Sequence, residues 1–388
     1  MAIVMVENIE NTMNPSSIKI RTGNQMIAEG ALHAGCQFFA GYPITPASGV
    51  YKAMIEQLPQ RNGVAISAPD EISALAYCVG ASGRGAKAMT ASSGPGWSLM
   101  IETVQYALMT ELPVVIALVQ RLGPSTGGAT QNGQADILFT EFCTSGGYTI
   151  PIFAPSTPQE CFEVTTIAFK WAELLRTPVI ILSDKEVGMM SEDVDFAQLK
   201  SSPAWYRKEF STQNGKEHLT YDFQELEDVP LFSPVGGNYK VTMTGSAHDK
   251  RGTLQKNSTE TLDVLIHLQK KIEAHREEMA IVRVDEQENA DTLLLSFGIT
   301  ARTAKEAARR ANAEGKKVRN ANIITLFPIP ETLLKEAARG VRRIVVAEEN
   351  MTGQYRSVIQ SLFAGKEIVG VNSVGKMITP GMIMEALV

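Results

Sequence analysis

Residues 37–46 read QFFAGYPITP. The apolar run at the start predicts a buried strand, and Pro43 and Pro46 stop that strand and hold Thr45 in a rigid turn. In an open α/β sheet, ligands bind beyond the carboxyl ends of the strands, because polar groups converge there in a crevice. The turn therefore places a hydroxyl group at a candidate site. The alternative is an ordinary loop in which Thr45 or Ser48 only caps the following helix.

The composition is that of a soluble globular protein, with 388 residues of which 44% are hydrophobic and 20% are charged. This length predicts two or three domains. The net charge of −6 argues against nucleic acid or an anionic membrane surface as a partner. No apolar run is long enough to span a membrane, and residues 1–17 lack the features of a secretory signal. We therefore expect a cytoplasmic protein whose first residues form a loose arm or an interface strand.

Apolar runs alternate with segments of helical spacing in the first half of the chain, and the runs fall at 38–42, 64–68, 86–91, 114–119 and 179–182. This alternation is typical of βαβ units and predicts a mainly parallel sheet covered by helices on both faces. The first domain is predicted to span residues 17–195.

The alternation stops in residues 196–287, which we predict to be an irregular middle module with one amphipathic helix over 259–278. The α/β pattern returns in a predicted third part, residues 288–388, with strands expected at 292–297, 317–326 and 343–347. The predicted fold class is therefore α/β throughout, with an irregular module between two sheet domains.

Several motifs occur in an order that resembles the 2-oxoacid:ferredoxin oxidoreductases. They are YPITP at 42–46, the pair Asp70 and Glu71 at a helix start, ASSGPG at 91–96, and a strand that ends at Gln120 and Arg121. Within that family the chain is similar to the alpha subunit of the 2-oxoglutarate type over nearly its whole length. The resemblance implies a pyrimidine-binding domain of the thiamine diphosphate enzymes first and a transketolase C-terminal-like domain last.

Glu71 directly follows a predicted strand and has the apolar neighbours Ile72 and Leu75. An apolar surround raises the pKa of a carboxyl group and allows it to share a proton. From the residues alone, Asp70 and Glu71 can equally be the acidic start of a helix. The resemblance implies that Glu71 contacts the aminopyrimidine ring of thiamine diphosphate and activates the cofactor.

The resemblance also implies that Thr45 hydrogen-bonds the 2-oxoacid and that Arg121 pairs with the carboxylate of this substrate. A planar guanidinium group suits a carboxylate better than a lysine does. The alternative for Arg121 is a surface salt bridge. Tyr42, Pro43 and Ile44, which belong to the same motif as Thr45, are further implied cofactor contacts.

Two glycine-rich segments follow predicted strands. Residues 91–96 lack the GxxxxGK[ST] pattern of a nucleotide P-loop, and are predicted to form a tight turn near the cofactor with Ser92 and Ser93 as polar contacts. Residues 123–134 read GPSTGGATQNGQ. Such a segment can bind an anion through main-chain N–H groups or cover the site as a lid, or it can be only a flexible connection.

The chain has no Gly-Asp-Gly motif, and its four cysteines form no cluster and are predicted to be small buried hydrophobic residues; they are Cys36, Cys78, Cys143 and Cys161. No metal site is predicted here. The resemblance implies a split enzyme in which thiamine diphosphate is shared with a beta subunit. That subunit is expected to carry the diphosphate-binding domain, Mg²⁺ and a [4Fe-4S] cluster, in a dimer of αβ heterodimers.

The implied reaction is the reversible oxidative decarboxylation of 2-oxoglutarate with coenzyme A to succinyl-CoA, CO₂ and reduced ferredoxin. The alternatives are an alpha subunit that acts on pyruvate or a branched-chain 2-oxoacid, and a non-catalytic scaffold subunit. His248 is left without a role. Glu348, Glu349 and Asn350 belong to a domain whose implied role is mostly architectural, so they are not assigned to catalysis.

Overall fold

The computed structural model describes residues 18–211 and 218–387. The predicted arm or interface strand at residues 1–17 lies outside them. The strands are β1 (Ile18–Thr22), β2 (Phe38–Gly41), β3 (Val64–Ser67), β4 (Ala88–Ser92), β5 (Val114–Gln120), β6 (Ile152–Phe153), β7 (Pro178–Asp184), β8 (Ser191–Asp195), β9 (Val282–Asp285), β10 (Thr292–Ser296), β11 (Val318–Ile323), β12 (Thr325–Phe327), β13 (Arg343–Glu348) and β14 (Glu367–Asn372).

The α-helices are α1 (Gly23–His33), α2 (Ser48–Gln57), α3 (Glu71–Gly83), α4 (Gly94–Met109), α5 (Ile137–Glu141), α6 (Pro158–Leu175), α7 (Lys185–Met189), α8 (Thr259–Glu273), α9 (Arg276–Met279), α10 (Thr300–Ala313), α11 (Glu331–Ala337), α12 (Gln354–Ile359) and α13 (Pro380–Ala386). Among the described residues, no helix combines the length and the apolar character needed to cross a membrane.

The first sheet has seven strands in the order β12-β6-β7-β5-β4-β2-β3. Strands β2 to β7 pair in parallel, so their carboxyl ends lie along one edge. Strands β4, β5 and β7 are buried on both faces. One face is covered by a core around Trp97 of α4, and the other by a core around Phe39 and Trp171. The predicted parallel α/β fold is confirmed.

The second sheet has the order β14-β13-β10-β11-β9, and its only antiparallel neighbour among the described strands is β9 at one edge. The strand predicted at 317–326 is two strands in different sheets. After β11 the chain crosses at Ile324 to the first sheet, where β12 pairs antiparallel with β6. The prediction was wrong here because the apolar run continues through the crossing. The helix predicted at 259–278 is likewise divided into α8 and α9.

Residues 196–211 and 218–258 contain isolated bridges but no helix or strand. This irregular segment is fixed to the first sheet domain by a buried guanidinium group. Arg207 donates two hydrogen bonds of 2.8 Å to the carboxylate of Glu173, and others to the carbonyl oxygens of Ser82 and Ala86. Because bidentate pairs of this kind hold both partners in one geometry, the segment follows the surface of α3 and α6. The boundaries at 195 and 287 stay predictions.

A second buried ionic group fixes α8. Lys271 Nζ lies 2.6 Å from Glu111 Oε2, and His267 Nε2 lies 3.3 Å from the same oxygen; all three side chains are fully buried. Burial raises the pKa of Glu111, but the positive charges of Lys271, His267 and Arg176 outweigh it and hold the pKa below its usual value. The carboxylate therefore depends on its partners to stay ionised in the interior.

We expect Lys271→Met to lower the free energy of unfolding by about 3 kcal/mol, because it leaves the Glu111 carboxylate buried without its closest cation. The matched control is Lys270→Met, since Lys270 pairs with Glu273 at the surface and exposed ion pairs contribute little to stability. Thermal unfolding of both variants is the measurement. Equal losses in the two variants would contradict the expectation.

Candidate active site

The turn after β2 is held by two side chains from other elements. Arg121 Nη1 donates to the carbonyl oxygen of Thr45 at 2.6 Å, and Asn24 Nδ2 donates to the carbonyl oxygen of Pro46 at 2.8 Å. Helix α2 begins at Ser48, and within the described residues no side-chain hydrogen bond caps its N-terminus. The capping alternative for Thr45 is therefore wrong. The turn is instead fixed by hydrogen bonds from Arg121 and Asn24, which lie outside residues 37–46.

Arg121 follows the last residue of β5 and is only 6% exposed, so the surface salt-bridge alternative is wrong. Burial lowers the pKa of Arg121, and the negative charge of Asp136 opposes that change. An arginine side chain stays charged in proteins. Two of the predicted site residues, Thr45 and Arg121, are thus in direct contact. Arg121 places a cation at the carboxyl edge of the sheet.

Asp136 lies next to Arg121 and was not predicted. Its Oδ2 atom is buried and has no hydrogen-bond partner among the described residues. Its carboxylate oxygens lie 3.1 Å from the position that a Cβ on Gly94 would occupy, at the N-terminus of α4. Burial raises the pKa of Asp136 to about 7, although the charge of Arg121 works in the opposite direction. No local pattern in GQADIL distinguishes this buried carboxyl group from a surface aspartate.

Glu71 is the first residue of α3 and is buried, with 6% of its surface exposed. The two acidic residues have different tasks. Asp70 caps the helix by accepting a 2.7 Å hydrogen bond from the main-chain N–H of Ser73, whereas no residue in the described part of the chain hydrogen-bonds the Glu71 carboxylate. The carboxylate of Glu71 therefore keeps its hydrogen-bonding capacity for water or a ligand.

The turn between β4 and α4 packs directly against Glu71. A Cβ on Gly96 would lie 2.1 Å from Ser92 Oγ and 2.7 Å from Glu71 Oε1, so only glycine fits there. Ser93 is the N-cap of α4, yet its side chain does not cap the helix and its buried hydroxyl group has no partner in the described residues. The turn therefore lies between Glu71 on one side and the Arg121 and Asp136 pair on the other.

The Gly96→Ala variant is expected to lose about 10- to 100-fold in activity, because the added methyl group displaces the Glu71 carboxylate or Ser92. Gly80→Ala is the matched control, since nothing lies within 4 Å of a Cβ at Gly80 on the neighbouring helix α3. The measurement is the steady-state rate of the assembled enzyme for both variants. An active Gly96→Ala variant would show that the close packing around Glu71 has no bearing on the reaction.

A cavity of about 470 Å³ lies beside these groups, between the first sheet domain and the C-terminal part of the chain. Its polar lining includes Ser98, Arg121, Asp136, Glu349 and Asn350. Burial raises the pKa of Glu349 to about 7. The cavity thus combines one fixed cation with two carboxyl groups that take up protons near neutral pH.

The other residues considered in the sequence analysis differ in how far they are buried. Tyr42 and Pro43 are exposed on the turn, and Ile44 packs against the core on one face of the first sheet. His248 is buried against the ring of Tyr221, 4.2 Å between centroids, and does not line this cavity. All four cysteines are buried, and burial raises the pKa of Cys36 and Cys143 to about 12. They are therefore protonated interior residues, as predicted.

Asp136→Asn tests the proton on Asp136. An aspartate with a native pKa of about 7 keeps its proton in the fold but loses it in the unfolded chain near pH 4. The wild-type protein should therefore lose stability as the pH rises from 4 to 7, and the Asn variant should be more stable at pH 8 by on the order of 2 kcal/mol. The exposed Asp193→Asn is the control, and melting curves between pH 4 and pH 8 are the measurement. Parallel curves for wild type and Asp136→Asn would rule out the buried proton.

Comparison with known proteins identifies the family to which this chain belongs. Residues 29–267 match the family model described as pyruvate flavodoxin/ferredoxin oxidoreductase, thiamine diphosphate-binding, and residues 290–383 match pyruvate:ferredoxin oxidoreductase core domain II. The chain belongs to the 2-oxoacid:ferredoxin oxidoreductase family. The resemblance of its motifs is thereby confirmed, and the chain is one subunit of a multi-subunit oxidoreductase.

Two relatives define its position within the family. The chain is 39% identical to the 2-oxoglutarate synthase subunit KorA of Methanothermobacter marburgensis, over 88% of this chain and 90% of that protein. It superposes with a TM-score of 0.88 and 28% identity on the 2-oxoglutarate:ferredoxin oxidoreductase from Magnetococcus marinus, solved with 2-oxoglutarate, coenzyme A and succinyl-CoA bound. This match covers 96% of the chain but 65% of the solved chain's length. A split-gene transketolase, with a TM-score of 0.52 and 14% identity, shares the fold.

Proposed function

We propose that this chain is the alpha subunit of a 2-oxoglutarate:ferredoxin oxidoreductase. The complex oxidatively decarboxylates 2-oxoglutarate with coenzyme A to succinyl-CoA and CO₂ and reduces ferredoxin. The observation that carries the proposal is that Arg121 holds the turn at Thr45, while the β4–α4 turn packs against a Glu71 carboxylate that no described residue hydrogen-bonds. The names of the relatives support 2-oxoglutarate as the oxoacid.

The residues around the turn fit thiamine diphosphate. When bound, this cofactor supplies a nucleophilic carbon and stores the electrons of the decarboxylated substrate. Glu71 offers a carboxyl group that no described residue hydrogen-bonds, and Ser93 offers a buried hydroxyl group without a partner among the described residues. Glycine at position 96 avoids a clash with Ser92 and Glu71, since a Cβ there would lie 2.1 Å from Ser92 Oγ. Tyr42, Pro43 and Ile44 are proposed to line the opposite side of the same pocket.

Each residue has a separate task in this proposal. Glu71 holds or moves a proton at the aminopyrimidine nitrogen of the cofactor. Arg121 binds the carboxylate next to the keto group, because its charge is fixed and partly desolvated. Thr45 donates a hydrogen bond to the oxoacid, and its main chain is already fixed by Arg121.

The reaction needs further parts that we assign to a partner. A beta subunit is proposed to carry the diphosphate site with Mg²⁺ and the [4Fe-4S] cluster that passes electrons to ferredoxin. The wide spacing of the four cysteines, which form no CxxC motif, supports this division, since iron–sulfur clusters are held by several thiolates. We propose a dimer of such αβ pairs that works in the cytoplasm.

The test is 2-oxoglutarate-dependent reduction of a low-potential acceptor with coenzyme A and thiamine diphosphate, using the chain alone and the chain co-purified with its partner. Activity in the co-purified sample only, and higher with 2-oxoglutarate than with pyruvate or a branched-chain oxoacid, is the expected result. Activity of the lone chain would contradict the split site. A preference for another oxoacid would show that 2-oxoglutarate is the wrong substrate assignment. No activity in a cofactor-loaded complex would favour a scaffold subunit.

A further inference from the structure

Gln134 connects the segment after Arg121 to the C-terminal part of the chain. Its side chain is fully buried and uses every polar atom. Nε2 donates to Asp184 Oδ2 at 3.2 Å and to the carbonyl oxygen of Phe297 at 3.0 Å. Oε1 accepts from Thr300 Oγ1 at 3.1 Å and from the main-chain N–H of Glu349 at 3.0 Å. Four elements of the fold therefore meet at one amide group.

The main chain of Gln134 makes two further hydrogen bonds to the C-terminal part of the chain. Its N–H donates to the carbonyl oxygen of Glu349 at 2.8 Å, and its carbonyl oxygen accepts from Asn350 Nδ2 at 3.0 Å. Six hydrogen bonds at a buried residue specify one position, because each unmade bond would leave a buried polar group unpaired. Glu349 and Asn350 thus have a structural task beside the cavity that they line.

The C-terminal part of the chain approaches Asp184 and Gln134 so closely at Gly298 that only glycine fits there. Gly298 has a φ of +56°, and a Cβ there would lie 2.4 Å from Asp184 Oδ2 and 2.6 Å from Gln134 Nε2. The next N–H, that of Ile299, donates to Asp184 Oδ2 at 2.7 Å. The turn before α10 is therefore shaped to fit the carboxylate of Asp184 and the amide of Gln134.

The position of Gln134 is transmitted to Arg121 through the backbone. Residues 122–133 fold back on themselves, with the N–H of Leu122 donating to the carbonyl oxygen of Gln131 at 3.0 Å. A Cβ on Gly133 would lie 3.1 Å from Leu122 Cα and 3.3 Å from the carbonyl carbon of Arg121. Because the two ends of the segment touch, any shift of Gln134 moves the start of the segment as well.

We propose that Gln134 is a positioning residue through which the C-terminal part of the chain holds Arg121 and Asp136 in place for the 2-oxoacid. It does not line the cavity itself, whereas its neighbours Ala135 and Asp136 do. The role in substrate binding rests on the proposed function of Arg121. The holding of residues 121–136 rests only on the hydrogen bonds of Gln134.

The test compares Gln134→Ala with the exposed Gln131→Ala in the assembled complex. We expect KM for 2-oxoglutarate to rise about 10-fold or more in Gln134→Ala, with a smaller change in kcat, since a binding group is misplaced. Hydrogen exchange should increase in peptides from residues 121–136 and stay unchanged in β4 and β5. Gln131→Ala should match the wild type in both measurements.

A conservative variant supplies a second measurement. Gln134→Glu keeps the acceptor for Thr300 and Glu349 but sets a second carboxyl group against Asp184. Its KM defect should shrink as the pH is lowered and this carboxyl group takes up a proton. A defect that is independent of pH would contradict the contact with Asp184.

Two further outcomes would overturn the proposal. One is a normal KM in Gln134→Ala together with increased exchange, which would separate the segment's position from substrate binding. The other is increased exchange throughout the C-terminal part, which would make Gln134 a general stabilising residue. Arg121→Ala in the same assay separates the role of Arg121 from that of Gln134. If this variant leaves KM unchanged, the proposed function of Arg121 is wrong. The exchange data still show whether Gln134 holds residues 121–136 in place.

Discussion

The Glu71→Ala variant of the assembled complex is expected to lose about 1,000-fold in 2-oxoglutarate-dependent reduction of a low-potential acceptor. The reason is the loss of a positioned proton-transfer group, which in enzymes contributes typically 10²- to 10⁴-fold. Glu71 is buried and no described residue hydrogen-bonds its carboxylate, so alanine removes no hydrogen bond within the described part of the protein. The complex should still assemble and bind thiamine diphosphate, as size-exclusion chromatography and cofactor titration would show.

Asp70→Asn is the matched control for Glu71. Asp70 precedes Glu71 and caps α3, and asparagine caps a helix about as well as aspartate does. This variant should keep nearly full activity although it removes one of the two adjacent carboxylates. Activity of Glu71→Ala within a few-fold of the wild type would remove Glu71 from catalysis, and an equal loss in Asp70→Asn would point to the helix start instead.

Arg121→Ala should lower kcat/KM for 2-oxoglutarate by about 100- to 1,000-fold, mainly through KM. The variant removes the fixed positive charge at the cavity and also releases the carbonyl oxygen of Thr45. Arg121→Lys should be intermediate, because a lysine keeps the charge but lacks the planar pair of donors. Kinetics with 2-oxoglutarate at constant coenzyme A are the measurement.

The exposed Arg61→Ala is the control for non-specific effects of charge, since it changes the net charge of the protein equally. It should leave KM unchanged. If Arg121→Lys behaved like the wild type, a point charge would be sufficient and the bidentate role would be wrong. If Arg121→Ala lowered kcat alone, Arg121 would act after substrate binding.

The sequence determined the first sheet and the edge at which its strands end. The strands predicted at 38–42, 114–119 and 179–182 are all present and parallel, because runs of apolar residues buried on both faces have few alternatives. Since the carboxyl ends of parallel strands share one edge, the residues after β2, β4 and β5 had to meet. The motifs that resemble the family fall at these same ends, and the family is confirmed.

The tertiary structure alone decided which polar groups complete the site. Asp136, Asn24 and Gln134 are ordinary polar residues in the sequence, and their burial follows only from the packing of distant segments. The sequence also does not separate β11 from β12, because the apolar pattern continues where the chain passes from the second sheet to the first. A local sequence pattern reports the periodicity of one segment, whereas the partner of a buried amide lies on another element, 22 residues away for Asn24 and up to 216 residues away for Gln134.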